Sequence, residues 1–276
     1  MISYALQLAI SALLFLFLLG FSVFVHETGH FLVSAWKGVG IEVFYIGVPI
    51  PYPYIQRGEQ KLSWHVGLYK KYIGTWKGTP VYFSPLLIGG FVRPLRDEND
   101  PRIFQKATPA TKILILIAGP LANLLLAAIM LFIFHRIEYP DLPVVQYILE
   151  SFARLGRNLQ LYAVGIVQAL LNLFSGQLMG PIGIFQVVRQ ETAQATATGS
   201  WVGFISLLAA LNLSLTIGNL LPIGTLDGAK LILAVVEWVF RRRIMWLEKA
   251  FAISGSVVLL LILVVVTVGD IGRFFR

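Results

Sequence analysis

The chain has 276 residues, of which 57% are hydrophobic and only 13% charged, and its net charge is +8. With a strongly positive mean hydropathy, this excludes an ordinary soluble domain and points to a polytopic α-helical membrane protein. Cysteine is absent, which rules out disulfides and thiolate metal sites. No basic stripe with interleaved aromatics accompanies the charge, so no nucleic acid partner is expected, and the excess of Lys and Arg reads as loop charge that orients the chain in lipid.

The first predicted element is a transmembrane helix over residues 2–35. It lacks a basic leading region and a small-residue cleavage site, so it reads as a retained span rather than a signal peptide. The apolar run ends in Val25-His26-Glu27-Thr28-Gly29-His30, an H-E-x-x-H pattern. On a helix, His26 and His30 lie one turn apart on one face, where both imidazoles can reach a single metal ion. Glu27 beside them can take a proton from a water polarised by that metal. The plainer reading is a pair of helix-end histidines at headgroup level. Ionisable side chains inside a membrane are costly and usually functional, which favours the metal.

Residues 39–95 change texture. They are rich in Gly, Pro, Tyr, Trp and β-branched residues, with short alternating runs, and predict a membrane-associated β-layer. The last piece, Leu86-Leu87-Ile88-Gly89-Gly90-Phe91-Val92, is a candidate exposed edge. Near Gly89 and Gly90 it can receive an extended peptide, or else pack on the helices. A polar connection follows, carrying Asp97-Glu98-Asn99-Asp100. A second transmembrane helix is predicted over 113–134, with Ala118-Gly119-Pro120-Leu121-Ala122-Asn123 near its start. Gly and Ala allow close helix contact there. Asn123 acts either as helix-packing glue or faces the metal site or substrate.

An amphipathic pattern from residue 144 onward predicts an interfacial or re-entrant helix over 144–174. Met179-Gly180-Pro181-Ile182-Gly183 breaks the chain, and residues 190–200 are polar and small. A third transmembrane helix is predicted over 201–223. It runs into Asn219-Leu220-Leu221-Pro222-Ile223-Gly224-Thr225-Leu226-Asp227-Gly228, where Pro222 and Gly224 should unwind it and Asp227 stands between apolar runs. Irregular backbone at membrane depth is tolerated where it lines a cavity within the protein. Arg241-Arg242-Arg243 marks a cytoplasmic turn, and a fourth transmembrane helix is predicted over 250–268.

A catalytic zinc takes three protein ligands. His26 and His30 supply two, and Asp227 is the best placed third. His65 and His135 are the alternatives. Basic residues crowd the segment between the first two helices and the Arg241–Arg243 turn, which puts both in the cytoplasm. His26, His30 and Asp227 then share the cytoplasmic half of the membrane, provided residues 159–174 do not cross it fully.

These motifs resemble the site-2 protease family of intramembrane zinc metalloproteases, most closely its bacterial branch. His26-Glu27-Thr28-Gly29-His30 is similar to the family's H-E-x-G-H, and Asn219 through Gly228 to its N-x-x-P-x-x-x-L-D-G. Leu87 through Val92 resembles its membrane-associated strand, Ala118 through Asn123 its second-helix signature, and Gly180-Pro181-Ile182-Gly183 a motif upstream of the third helix. The resemblance implies zinc held by His26, His30 and Asp227, Glu27 as general base, Asn219 holding substrate backbone or oxyanion, and the strand at Gly89-Gly90 receiving an unwound substrate.

The resemblance further implies a single membrane-embedded protease domain in the bacterial inner membrane, acting on a single-pass transmembrane protein such as an anti-sigma factor or on a remnant signal peptide, with membrane lipid around it. Two departures stand out. Gly224 and Ala229 occupy positions where the branch often has Pro and Gly. The interval between the second and third helices is too short to hold the PDZ domains of many relatives beside the interfacial helix. The rival readings are a metal-ion carrier and a non-catalytic scaffold. A carrier calls for several acids along a path or for inverted repeats, and neither is found. A scaffold would be expected to have lost the base or a ligand.

Overall fold

The computed structural model describes residues 3–47, 50–55, 62–68, 71–84, 89–173 and 178–274. The protein is mostly helical, with a small sheet. Three described helices are long and apolar enough to cross a membrane: α1 (Tyr4–Lys37), α2 (Pro109–Glu138) and α7 (Met245–Phe274). Between α2 and α7 lie α3 (Val144–Leu171), α4 (Pro181–Thr198), α5 (Gly203–Asn219) and α6 (Asp227–Phe240). Helix α5 is apolar but has only 17 residues.

The chain divides into two compact units, Leu16–Gly119 and Met1–Phe15 with Pro120–Arg276. In the first, β1 (Ile41–Ile46) is central to a four-stranded sheet ordered β4-β5-β1-β6. It runs parallel to β5 (Thr79–Phe83) and antiparallel to β6 (Gly90–Pro94), and β4 (Lys71–Trp76) pairs antiparallel with β5. A separate antiparallel pair is formed by β2 (Ile50–Ile55) and β3 (Leu62–Leu68), with His65 opposite Tyr52.

The four-stranded sheet is fastened to α1 by aromatic packing. Phe31, fully buried, stacks on Phe44 of β1 at 4.8 Å between ring centroids and meets Trp76 of β4 at 5.0 Å. Phe24 stacks on Phe44 at 5.9 Å. Phe24 and Phe31 are seven residues apart and so share one helix face. His26 and His30 fall about 200–240° further round, roughly the opposite face. The sheet therefore covers one side of α1 and leaves the histidine side for α2.

In the second unit, α3 folds back on α2 and packs on α5. The α2–α3 junction is held by a buried polar cluster. His135 Nδ1 bonds Ser151 Oγ at 2.8 Å, and the Tyr147 hydroxyl donates to the Phe132 carbonyl at 2.8 Å. Thr216 of α5 donates to the carbonyl of Pro120 at 3.2 Å. Pro120 lies inside α2, where it removes one helical N–H. Residues 190–200, polar and small in sequence, are mostly helix: α4 runs through to Thr198 and ends on Gly199 in a left-handed cap. Gln, Glu and Ala in this stretch are good helix formers, and α4 packs on α5 and α7.

Candidate metal centre

In the first unit the two histidines of α1 meet directly. His26 Nε2 and His30 Nε2 are 3.1 Å apart, with ring centroids at 4.7 Å and planes nearly perpendicular. His26 is buried and His30 half-buried. The carbonyl of Ile115 on α2 lies 2.7 Å from His30 Nδ1. A carbonyl only accepts, so Nδ1 carries the proton and His30 Nε2 presents a lone pair. A backbone partner on the far nitrogen is the usual way a metal-binding imidazole is oriented.

Gly119 closes the site from α2. A Cβ at this position would stand 2.3 Å from His30 Nε2 and 2.8 Å from His26 Cε1. Any side chain here would occupy the space into which both imidazoles point. Two nitrogens bound tetrahedrally to one zinc, each about 2.0–2.1 Å from it, lie about 3.3 Å apart. The observed separation is close to that figure, and the space in front of the rings is kept clear by a glycine. The donor set therefore fits a small, imidazole-preferring cation. Glu27, next in sequence to His26, is half-buried on the same helix.

Gly89 and Gly90 lie behind α1, on the sheet. Gly47 N–H donates to Gly89 O at 2.8 Å, and Gly90 pairs with Ile46. In an antiparallel ladder the backbone groups alternate sides. Gly89 faces β1, so the N–H and C=O of Gly90 and Val92 face away from it, along the side of β6 that has no neighbour among the described strands. Leu86-Leu87-Ile88, the start of the expected strand, lies outside the described residues.

In the second unit Asp227 is buried and opens α6. The expected unwinding around Pro222 and Gly224 is present: α5 stops at Asn219 and residues 220–226 form an irregular turn. Lys230 Nζ lies 3.2 Å from Asp227 Oδ1, an ion pair within the first turn of the helix. Asn219 is half-buried and donates its amide to the Leu215 carbonyl at 3.0 Å. Asn123 is fully buried on α2. Of the two alternative ligands, His135 is bound to Ser151, and the side chain of His65 lies outside the described residues. The sequence reading missed Ile115 and Gly119 as parts of the histidine site. The signal for them is the Gly119-Pro120 pair inside an apolar helix, which also fits general helix packing.

Residues 14–263 match the family model described as peptidase family M50. The chain belongs to peptidase family M50. This M50 chain is 34% identical over 139 residues to zinc metalloprotease RasP of Bacillus licheniformis, covering 48% of the chain and 32% of the relative. It is 34% identical over 131 residues to a provisionally named zinc metalloprotease of Clostridium acetobutylicum, 46% of the chain and 32% of the relative. A similarly named protein of Fusobacterium nucleatum is 29% identical over 118 residues, 41% of the chain and 33% of the relative. The M50 chain thus spans about a third of the length of the curated relatives it matches.

Proposed function

We propose that the protein is a zinc-dependent intramembrane endopeptidase that hydrolyses peptide bonds within or near transmembrane segments. The observation that carries this reading is the facing His26–His30 pair at 3.1 Å on a 34-residue apolar helix, in a chain of the M50 family. That family membership does not favour a carrier or an inert scaffold.

The residues that would hold zinc are His26, His30 and Asp227, each offering one ligand atom. Support for Asp227 is chemical. There is no cysteine, and Asp227 is a buried acid placed just after irregular backbone. Bound zinc supplies Lewis acidity toward the scissile carbonyl and makes water a better acid at neutral pH. Glu27 accepts the proton from the attacking water and delivers it to the leaving amide nitrogen. The Ile115 carbonyl holds the His30 ring in one tautomer. Lys230 Nζ, 3.2 Å from Oδ1, orients the Asp227 carboxylate.

A substrate helix must give up its own hydrogen bonds before its carbonyls can be attacked. The groups of Gly90 and Val92 that face away from β1, unpaired among the described strands, offer an unwound segment replacement partners, with Asn219, Asn123 and Gly89 assigned to substrate contact.

The substrate class we assign is a single-pass membrane protein of the anti-sigma factor kind, or a remnant signal peptide. The whole chain acts as one membrane-embedded protease domain. In this layout α1, α2 and α7 cross the membrane, α5 with the 220–226 turn makes the remaining crossing, and α3 lies at the interface within lipid. The basic turn Arg241–Arg243 faces the cytoplasm of a bacterial inner membrane, with the active site in that half of the bilayer.

The test is cleavage of a fluorogenic transmembrane peptide by purified protein in liposomes, beside Glu27→Gln, with zinc content measured on both. We expect Glu27→Gln to retain zinc and to lose about 10²–10⁴-fold in turnover. Native turnover by that variant, or a wild-type protein that binds no zinc, defeats the reading.

A further inference from the structure

Asp270 is fully buried near the end of α7, a helix otherwise almost wholly apolar. Nothing in the proposed chemistry uses it, and a buried carboxylate at this depth demands partners. It has them. Gly183 N–H donates to Asp270 Oδ2 at 2.7 Å, and Arg273 donates to Oδ1 and also, at 2.8 Å, to the Leu178 carbonyl. Gly183 lies in the first turn of α4, where unpaired N–H groups and the helix dipole favour an anion.

Helix α4 has no cap of its own, because its N-cap residue is Gly180. A Cβ on either Gly180 or Gly183 would stand 2.8 Å from an oxygen of the Asp270 carboxylate. The Gly180-Pro181-Ile182-Gly183 motif is thus a cradle shaped to admit an acid from a helix 87 residues away.

The same helix is fixed at a second point. Fifteen residues before Asp270, Gly255 lies backbone to backbone against Gly224. A Cβ on Gly224 would stand 2.3 Å from the Gly255 carbonyl carbon. Gly224 belongs to the turn that leads into Asp227. Helix α4, held at Asp270, packs on α5, which feeds the same turn from its other end. The two fixed points on α7 are about 22 Å apart along a helix that cannot change length.

We propose that Asp270 is a positioning residue: by capping α4 it sets α4, α5 and α7 around the 220–226 turn and so places Asp227. The role given to Asp227 rests on the zinc peptidase reading; the placement itself does not.

The experiment uses full-length protein in liposomes and compares Asp270→Asn, Gly183→Ala and the double variant. Zinc content, kcat and KM are measured on each. In parallel, each change is made in a Thr225→Cys background. Thr225 is exposed on the turn and the chain has no other cysteine, so maleimide labelling there reports the turn directly.

We expect both single variants to keep zinc, with kcat down about tenfold and KM changed by less than about twofold. The double variant should be no worse than the poorer single, and labelling of the Thr225→Cys protein should speed up about threefold when Asp270 is changed. Should Asp270→Asn fail to fold, Gly183→Ala decides alone. Native kcat and native labelling in the folded variants overturn the proposal, as does a loss of kcat with labelling unchanged. If the wild type neither binds zinc nor cleaves, the peptidase reading falls, and the labelling arm still decides whether Asp270 positions the turn.

Discussion

Gly119 on α2 and His30 on α1 approach so closely that a Cβ on the glycine would stand 2.3 Å from Nε2. The imidazole lone pair points into space that only the lack of a side chain keeps open. Gly119→Ala must push the ring off its bond to Ile115 or push the helices apart. Displacing a ligand's orienting partner typically costs about 10–100-fold in metal affinity. We expect a loss in that range, read by competition with a chromophoric chelator, with the protein still folded.

Asp227→Asn keeps the shape of the side chain but removes the negative charge that a hard oxygen ligand needs and that Lys230 pairs with. We expect zinc affinity to fall by at least about tenfold. Metal content equal to that of the wild type would assign the third ligand to another residue.

Gly224→Ala tests the turn itself. Gly224 has φ +46°, in the left-handed region, and it abuts Gly255. Strain at positive φ costs about 1–2 kcal/mol, and overpacking a backbone contact adds about 1–3 kcal/mol. Thermal unfolding in detergent should show a clear loss of stability. Gly255→Ala should give a similar loss, and the pair should be less than additive, because both changes break one contact. The close backbone approach also accounts for glycine at a position where relatives of the bacterial branch often carry proline.

The polar connection before α2 gives a pH prediction. The Arg102 guanidinium bonds both oxygens of the Asp100 carboxylate and holds its pKa down to about 2, from an ordinary 3.8. A carboxylate with a lowered folded pKa contributes order that is complete above its ordinary value and is lost as pH falls through the lowered one. The ring of contacts at 97–102 should therefore persist at pH 4 and loosen only near pH 2. An NMR titration of Asp100 should give that midpoint, and Arg102→Ala should return it toward 3.8.

What the sequence made legible was local. H-E-x-x-H on an apolar run gave α1 and its two imidazoles, and Pro222 with Gly224 gave the end of α5, because both signals act within one or two helical turns. What it hid was long-range. No local feature says that Phe24 and Phe31 will receive β1, or that the Ile115 carbonyl will accept a hydrogen bond from His30 Nδ1. The start of α4 looked like a simple break because its cap comes from Asp270, far along the chain. The continuation of α4 through polar residues rests on good helix formers together with packing on α5 and α7, and the second of these is not visible in the sequence.

One rigid helix carries both the aromatic seat of the sheet, at Phe24 and Phe31, and the two imidazoles, at His26 and His30. The side of β6 turned away from β1 is thereby held at a fixed offset from the nitrogens of His26 and His30. Under the proposed peptidase reading, a peptide laid along β6 would advance about 3.3 Å per residue, and the bond that reaches those nitrogens would be set by counting from the point of attachment. On that reading, a protein built this way would measure a substrate rather than read it, and unrelated sequences would be cut at equivalent places.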